Sequence, residues 1–428
     1  MTISSKSDIR LPNMVPKSLV HRMNSAGKCM SSPEKKDAIL QSASAAFAEK
    51  GFDRTTVSEI AKMAGVGDST IYEYFQGKED LLFTIPIEKT KFLVENLEEH
   101  LRGIKSVEDK LRKLIWHYLY FQENNRDYAN ILLFELRANK SFYGSRAYET
   151  FKTYNKILIR ILSEGQQEGI FRKNADIHLL RDLIFGCIDH TMYGWLLFGK
   201  PKSLVEQVDD LFDLIHSGIS AEDFGEFENR EAGDSILNKR RAIIKASEGI
   251  FAVKGFYKST IADVSQALGI GEATIYEYFQ NKDDLLFNIP IERTESLIDS
   301  LNIKLESKEE AENKLRKFVW HYLCFFNNNK NYVSILLFEL RSNRRFYASK
   351  SFQLFKKFSD ILIEILKEGK KEEIFNKDAN IYLFRNMVFG SIDHLALRWI
   401  LFGRPTDLID KADELIQFYL RAIKNYST

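Results

Sequence analysis

The chain has 428 residues, room for roughly two to four domains with real cores, and its 44% apolar content, 28% charged content and only 7 prolines exclude disordered, collagenous and proline-rich classes. Lysine plus arginine number 61 against 60 acidic residues, so a net charge of +1 neither demands nor forbids a nucleic-acid partner and local charge must decide. Cys29, Cys187 and Cys324 are too few and scattered for a disulfide framework or a four-ligand zinc site, and no apolar run approaches a membrane span, which predicts a cytoplasmic protein without membrane partner, metal or cofactor.

Residues 1–32 carry Lys6, Arg10, Lys17, Arg22 and Lys28 against Asp8, a net of +4, and read as a loose basic arm. Beyond it the apolar spacing is helical throughout, with no sustained period-two alternation, so an all-α fold is predicted. Ile39, Ala43, Ala46 and Phe47 line one face of a first helix that stops at Gly51, a residue suited to the left-handed position past a helix end. A short second helix opens at Thr56, where Thr56-x-x-Glu59 forms a capping box. Ala64-Gly65-Val66-Gly67 supplies a turn, Ser69 to Phe75 a third short helix, and Lys78 the start of a longer fourth. Amphipathic helices follow at about 107–124, 127–138, 146–168, 176–198 and 202–217. Ser217 to Asn238 then holds six acidic residues against Arg230, with three glycines and no periodicity, which is linker composition.

After the linker the chain starts again. Ile71 to Glu88 returns as Ile275 to Glu292 with 15 of 18 positions identical, an offset of 204. The same offset carries Lys110 to Phe121 onto Lys314 to Phe325, Ile131 to Tyr143 onto Ile335 to Tyr347, and Asp189-His190 onto Asp393-His394. The period is far too long for a solenoid unit; it describes two copies of one complete subunit, fused. The second copy repeats the capping box in a weaker form, Thr260-x-x-Asp263.

A short helix, a glycine turn and a second short helix, set behind a longer packing helix, is helix-turn-helix order. The segments GFDRTTVSEIAKMAGVGDSTIYEYFQGKEDLL, Gly51 to Leu82, and GFYKSTIADVSQALGIGEATIYEYFQNKDDLL, Gly255 to Leu286, closely resemble the DNA-binding signature of the TetR family of bacterial regulators. The second departs at Val264, Ser265 and Leu268, where the family usually has Ile-Ala and Ala; these are packing changes. The resemblance implies helix-turn-helix domains at 33–84 and 237–288, ligand and dimerisation domains at 85–217 and 289–428, and an acidic linker at 218–236.

Within that signature Thr56 and Thr260 offer a hydroxyl and free backbone N–H groups to a phosphate. Thr70, Tyr72, Thr274 and Tyr276 would project from the recognition helices toward sugar-phosphate and base edges in the major groove. Lys78 and Lys282 resemble the family's phosphate-contacting lysine. The implied contact set extends to Thr55, Gly67, Asp68, Ser69 and Tyr74, and to Ser259, Gly271, Glu272, Ala273 and Tyr278, whereas Ile71, Phe75, Ile275 and Phe279 are core. Asp68 and Glu272 suit a helix N-terminus but repel phosphate, and only a cytosine amino group would reward them. Net charges of −3 over 33–82 and +1 over 236–286 leave neither headpiece strongly basic, so the arm is expected to compensate in the adjacent minor groove. Its deletion should weaken DNA binding and flatten the salt dependence.

Family members work as symmetric dimers; here one chain holds both units, so the helices around 176–217 and 380–421 are expected to form an intramolecular four-helix bundle. The chain should therefore act as a monomeric pseudo-dimer, repressing transcription from an imperfect palindromic operator in double-stranded DNA. Leu132 to Asn139 together with Ile184 to His190 resembles a TetR subgroup governing fatty-acid metabolism, whose effectors are long-chain acyl-CoA thioesters. That resemblance implies a hydrophobic effector site among Trp116, Tyr118, Phe121, Phe134, Arg137, Phe142, Tyr143, Cys187 and His190, and among Trp320, Tyr322, Phe338, Arg341, Phe346, Tyr347 and His394. Arg137 and Arg341 are phosphate partners in that reading; a salt bridge from Arg137 to Glu135 or Asp189 is the competing one. No catalytic residue is expected, because Asp189-His190 are adjacent on a helix, point about 100° apart, and lack an accompanying nucleophile or metal-ligand spacing. The alternative function is a protein-interaction module whose headpieces no longer read DNA.

Overall fold

The computed structural model describes residues 31–220, 239–305 and 309–425, and every regular element in them is helical. The basic arm (residues 1–30 of it) and linker residues 221–236 lie outside the described residues.

The first headpiece is α1 (Ser32–Lys50), α2 (Val57–Ala64) and α3 (Asp68–Tyr74). Its helices start where local chemistry satisfies their free N–H groups: Ser31 and Glu34 cap α1 reciprocally, and Thr56 and Glu59 do the same for α2. Gly65 ends α2 in the left-handed region. Gly51 does not follow the expected left-handed geometry; its φ of 85° and ψ of 161° lie outside that well, yet the positive φ still calls for glycine.

The larger domain follows as α4 (Lys78–Leu101), α5 (Val107–Asn124), α6 (Arg126–Asn130), α7 (Arg146–Gln167), α8 (Ile177–Phe198) and α9 (Val208–Ile219). The helix expected at 127–138 instead passes from α6 into a π-helical stretch over Ile131–Leu136. The helix expected from 202 begins only at 208, because Glu123 accepts hydrogen bonds from Ser203 Oγ (2.9 Å), Leu204 N (2.5 Å) and Val205 N (3.1 Å) and pins that loop. The second copy repeats the series as α10 (Lys239–Lys254), α11 (Ile261–Leu268), α12 (Glu272–Tyr276), α13 (Lys282–Leu305), α14 (Ala311–Asn328), α15 (Lys330–Ile335), α16 (Lys350–Lys371), α17 (Ile381–Phe402) and α18 (Ala412–Ile423), with its own π-helical stretch at Leu336–Leu340.

The copies close on each other through α8 against α17 and α9 against α18, the intramolecular bundle expected from the repeat. Where α8 meets α17, a Cβ on Gly186 would lie 2.3 Å from the Gly390 carbonyl group, and one on Gly390 2.0 Å from the Gly186 oxygen. Backbone touches backbone there, which only glycine at both places permits. Around this point the interface has lost its two-fold symmetry. Asp182 pairs with Arg398 at 2.6 Å and Asp176 with Lys411 at 2.8 Å, whereas the positions related by the 204-residue offset are the neutral Asn386, Gly194, Asn380 and Gln207. Acid lies on the first copy and base on the second, so unlike copies match better than like ones.

Candidate nucleic-acid interface and sensor interior

The recognition helices α3 and α12 expose what the motif predicts. Gly67, Asp68, Ser69 and Tyr72 are exposed on the first, as are Gly271, Glu272, Ala273, Tyr276 and Tyr278 on the second, with Thr70 and Thr274 half-buried beside them. Tyr72 is 60% and Tyr276 53% exposed, an unusual expenditure of aromatic surface unless a partner covers it. Ile71, Phe75, Ile275 and Phe279 are core, as expected. Ser58 donates a hydrogen bond to Asp68, which restrains that carboxylate; the second copy has Ala262 at the donor's place, so Glu272 has no such hydroxyl.

Two pairs of expected DNA contacts, and Tyr74 of the first copy, also make contacts within the protein. Thr55 and Ser259 are buried, and their hydroxyls donate to the Gly51 (2.8 Å) and Gly255 (2.6 Å) carbonyls, tying off the turn after the first helix. The Lys78 ammonium donates to Phe52 O at 2.7 Å and sits over the Phe52 ring at 4.3 Å; Lys282 does the same with Phe256 O at 2.8 Å and its ring at 4.3 Å. Half-buried and satisfied by carbonyls, both lysines brace the headpiece rather than present a charge to solvent. Tyr74 is also drawn inward, its hydroxyl 2.8 Å from Ser32 Oγ at the start of α1. Thr56 and Thr260 remain exposed at their helix N-termini, each accepting from the N–H three residues on.

The headpieces are joined to the larger domains by groups the sequence reading passed over. A Cβ on Gly51 would meet Glu135 Oε1 at a tight 3.2 Å, and the Phe52 N–H donates to the Glu135 carboxylate. Burial pushes the Glu135 carboxyl up to about 6 despite that bond. Across the copies, Arg344 donates to Ala48 O (2.9 Å) near the end of α1 and to Asn130 Oδ1 (2.8 Å). Lys140 makes the equivalent reach to Ala252 O (3.1 Å) and Ser334 Oγ (3.4 Å). Each larger domain thus holds the carbonyl end of the other copy's first helix. Only the 204-residue offset between Lys140 and Arg344, both basic, signalled this in sequence.

The expected effector residues divide into two groups. Phe134, Arg137, Tyr143, Cys187, His190 and their relatives Phe338, Arg341, Tyr347 and His394 lie at the face between the copies. Phe134 packs edge-on against Tyr347, and Tyr143 against Phe338. Cys187 Sγ lies 3.6 Å from Leu383 O. Arg137 meets Asp189 at 2.8 Å, and His394 of the other copy donates to the same oxygen at 2.8 Å; Arg341 and His190 repeat this on Asp393 at 2.7 and 2.8 Å. Of the two readings of Arg137, the pairing with Asp189 is the one the structure has. Burial alone would raise both aspartates, but the guanidinium and imidazole partners outweigh it and hold them below the usual carboxylate range. Burial lowers His190, which its bond to Asp393 only partly opposes. Asp189 and His190 thus each hydrogen-bond across the interface, to His394 and Asp393, and not to one another.

Tyr118, Phe121, Phe142, Tyr322 and Phe346 form the second group and are interior, packed ring against ring, while Trp116 and Trp320 are half-buried at the margin. Trp116 stacks on Tyr120 at 5.0 Å with Lys113 over its ring at 3.9 Å. A cleft of about 420 Å³ opens elsewhere, between α1, α4 and the start of α7, lined by Lys36, Thr84, Lys91 and Arg146 among others.

Comparison with known proteins places this geometry. The model of bacterial regulatory proteins of the tetR family matches residues 39–85 and 243–289, and that of the YsiA-like protein C-terminal region matches 87–218 and 291–422. The chain is 34% identical over 181 residues to the fatty acid metabolism regulator protein of Bacillus subtilis strain 168, covering 42% of this chain and 93% of that one. It is 25% identical over 193 residues to the transcriptional repressor KstR2 of Mycolicibacterium smegmatis, covering 44% and 91%. The crystal structure of FadR from Bacillus subtilis in complex with stearoyl-CoA is similar at 34% identity and a TM-score of 0.41, covering 43% of this chain and 99% of that one. Each of these whole proteins corresponds to less than half of the present chain, as a fused duplication requires. With two tandem sets of both domains matched, the chain belongs to the tetR family of bacterial transcriptional regulators.

Proposed function

We propose that this regulator binds an imperfect palindromic operator as one chain, with α3 and α12 entering successive major grooves, and that a hydrophobic effector of the long-chain acyl-CoA class releases it from DNA. The observation that carries the reading is that two short helices, each exposing a tyrosine (Tyr72, Tyr276) beside a half-buried threonine (Thr70, Thr274), belong to one chain whose larger domains are locked together at Gly186 and Gly390. Thr70, Tyr72, Thr56 and their relatives Thr274, Tyr276 and Thr260 make the contacts, while Asp68 with Ser69 and Glu272 with Ala273 give the half-sites their differences. Repression is the expected action, since the effector loosens a preformed reader. Support for the effector class comes from the 34% identity with a regulator of fatty acid metabolism.

The test is the affinity of the purified chain for DNA upstream of its own gene against scrambled DNA at two salt concentrations. One chain per operator, a preference of about a thousandfold or more, and release by stearoyl-CoA are expected. Equal weak binding to both DNAs, repeated in a selection from random sequence, would overturn the reading.

A further inference from the structure

The two sensor interiors have diverged where they matter most. In the first copy Gln122 is fully buried, its side chain and the Tyr118 hydroxyl beside it have no hydrogen-bond partner but each other, and the His117 Nδ1 is likewise buried and unpartnered. Buried polar atoms left short of partners are rare and costly, and their retention calls for an occupant that satisfies them. The second copy has removed this cluster. Phe326 stands in place of Gln122 and Phe318 in place of Leu114. Phe318 stacks on Phe358 at 5.0 Å, and Tyr322 packs on Phe326 at 4.5 Å and on Phe389 at 5.3 Å. His321, the relative of His117, bonds to Ser300 Oγ at 2.8 Å, where the first copy has Asn96. Tyr322 OH, Arg341 Nε and Asp393 Oδ1 are unpartnered as their first-copy relatives are, so the difference lies in Gln122 and His117.

The chemistry of the first interior also limits its guest. His117, buried beside His100 and Lys113, is lowered to about 3 and is neutral at physiological pH, Gln122 is neutral, and Arg137 and Asp189 are already paired. A carboxylate at Gln122 and Tyr118 would meet only neutral groups, the cation Lys113 standing at the margin over the Trp116 ring, whereas a carbonyl or ester oxygen would find the Gln122 amide and the Tyr118 hydroxyl as donors. Apolar walls from Tyr154 and Phe185, whose rings lie 5.4 and 5.5 Å from Tyr118, suit a hydrocarbon chain.

We infer that only the first sensor domain is a receptor: its interior takes an elongated apolar molecule bearing a neutral carbonyl at Gln122 and Tyr118, the phenylalanine-filled second interior takes none, and one molecule binds per chain. This rests on the ligand-responsive reading above and specifies it.

Two probes test it on the full chain, stearoyl-CoA and the methyl ester of the fluorescent polyene cis-parinaric acid, titrated with operator release followed in parallel. The expected result is one molecule of each per chain, with the free parinaric acid bound at least about tenfold more weakly than its ester. Gln122→Phe, which copies the second interior into the first, should weaken binding at least about tenfold, and Phe326→Gln should leave the first site intact. Gln122→Leu, which adds little bulk, gives the same loss should the phenylalanine variant fold poorly. Two molecules per chain, undiminished binding to both Gln122 variants, or no binding of either probe would overturn the inference. Gln122-dependent binding of one molecule without operator release would support it and sink the effector reading instead.

Discussion

Gly186 and Gly390, related by the 204-residue repeat, meet backbone to backbone where α8 crosses α17, and neither tolerates a side-chain carbon. Gly186→Ala should therefore push the helices apart and cost about 3 kcal/mol, the upper range for overpacking, with a further loss for the Gly390→Ala double variant smaller than the first because both relieve one contact. Thermal unfolding measures this; a wild-type midpoint in either single variant would contradict the crossing.

The buried Arg–Asp–His sets should make the fused pair sensitive to acid. His190 is lowered in the folded state, so the unfolded chain binds its proton more readily and stability falls as pH drops below about 6.5; the depressed Asp189 and Asp393 add losses below about pH 4. Unfolding followed from pH 7.5 to 5 should show a decline that His190→Gln reduces without abolishing, because burial lowers His117, His321 and His100 in the same direction. Asp189→Ala, which strands Arg137 and His394, should cost about 3–5 kcal/mol at neutral pH.

On DNA, Tyr72→Ala or Thr70→Ala should weaken operator binding by about 1–3 kcal/mol through the first half-site, and Tyr276→Ala or Thr274→Ala through the second. Footprinting each variant should show protection lost on one half-site only. Lys78→Gln behaves otherwise: with its ammonium held by Phe52 O, the substitution should lower headpiece stability and leave the salt slope of DNA binding within one unit of wild type. A slope reduced by a full unit would return Lys78 to the phosphate-contacting role.

Arg344→Ala and Lys140→Ala should each free the carbonyl end of the other copy's first helix, at about 0.5–1.5 kcal/mol, without disturbing α8 and α17. Hydrogen exchange should quicken near Ala48 in the first variant and near Ala252 in the second. Lys140→Ala should in addition need more effector to leave DNA, because the domain inferred to bind it would grip the other copy's headpiece less.

The sequence by itself determined the all-helical fold, the duplication, the boundaries of most helices and the exposed faces of α3 and α12, because these depend on local signals: capping boxes at Thr56 and Thr260, glycine turns and helical periodicity repeated at a constant offset. What only the tertiary structure decided was the use of side chains whose partners are far away in the chain. Lys78 went to a carbonyl 26 residues back, and His190 to an aspartate 203 residues on, where the motif suggested phosphate for the one and the subgroup resemblance an effector for the other. The π-helical turn at Ile131–Leu136 was equally illegible; Glu135 within it docks against Gly51 and Phe52, which lie far back in the chain. The divergence of the two interiors stood in the sequence as Gln122 against Phe326, but packing was needed to show that one side chain is buried with no partner but Tyr118 and the other is one of a stack of rings. Local propensity and pattern are properties of neighbours along the chain; burial and pairing are properties of neighbours in space, and a duplicated chain brings together residues some two hundred positions apart.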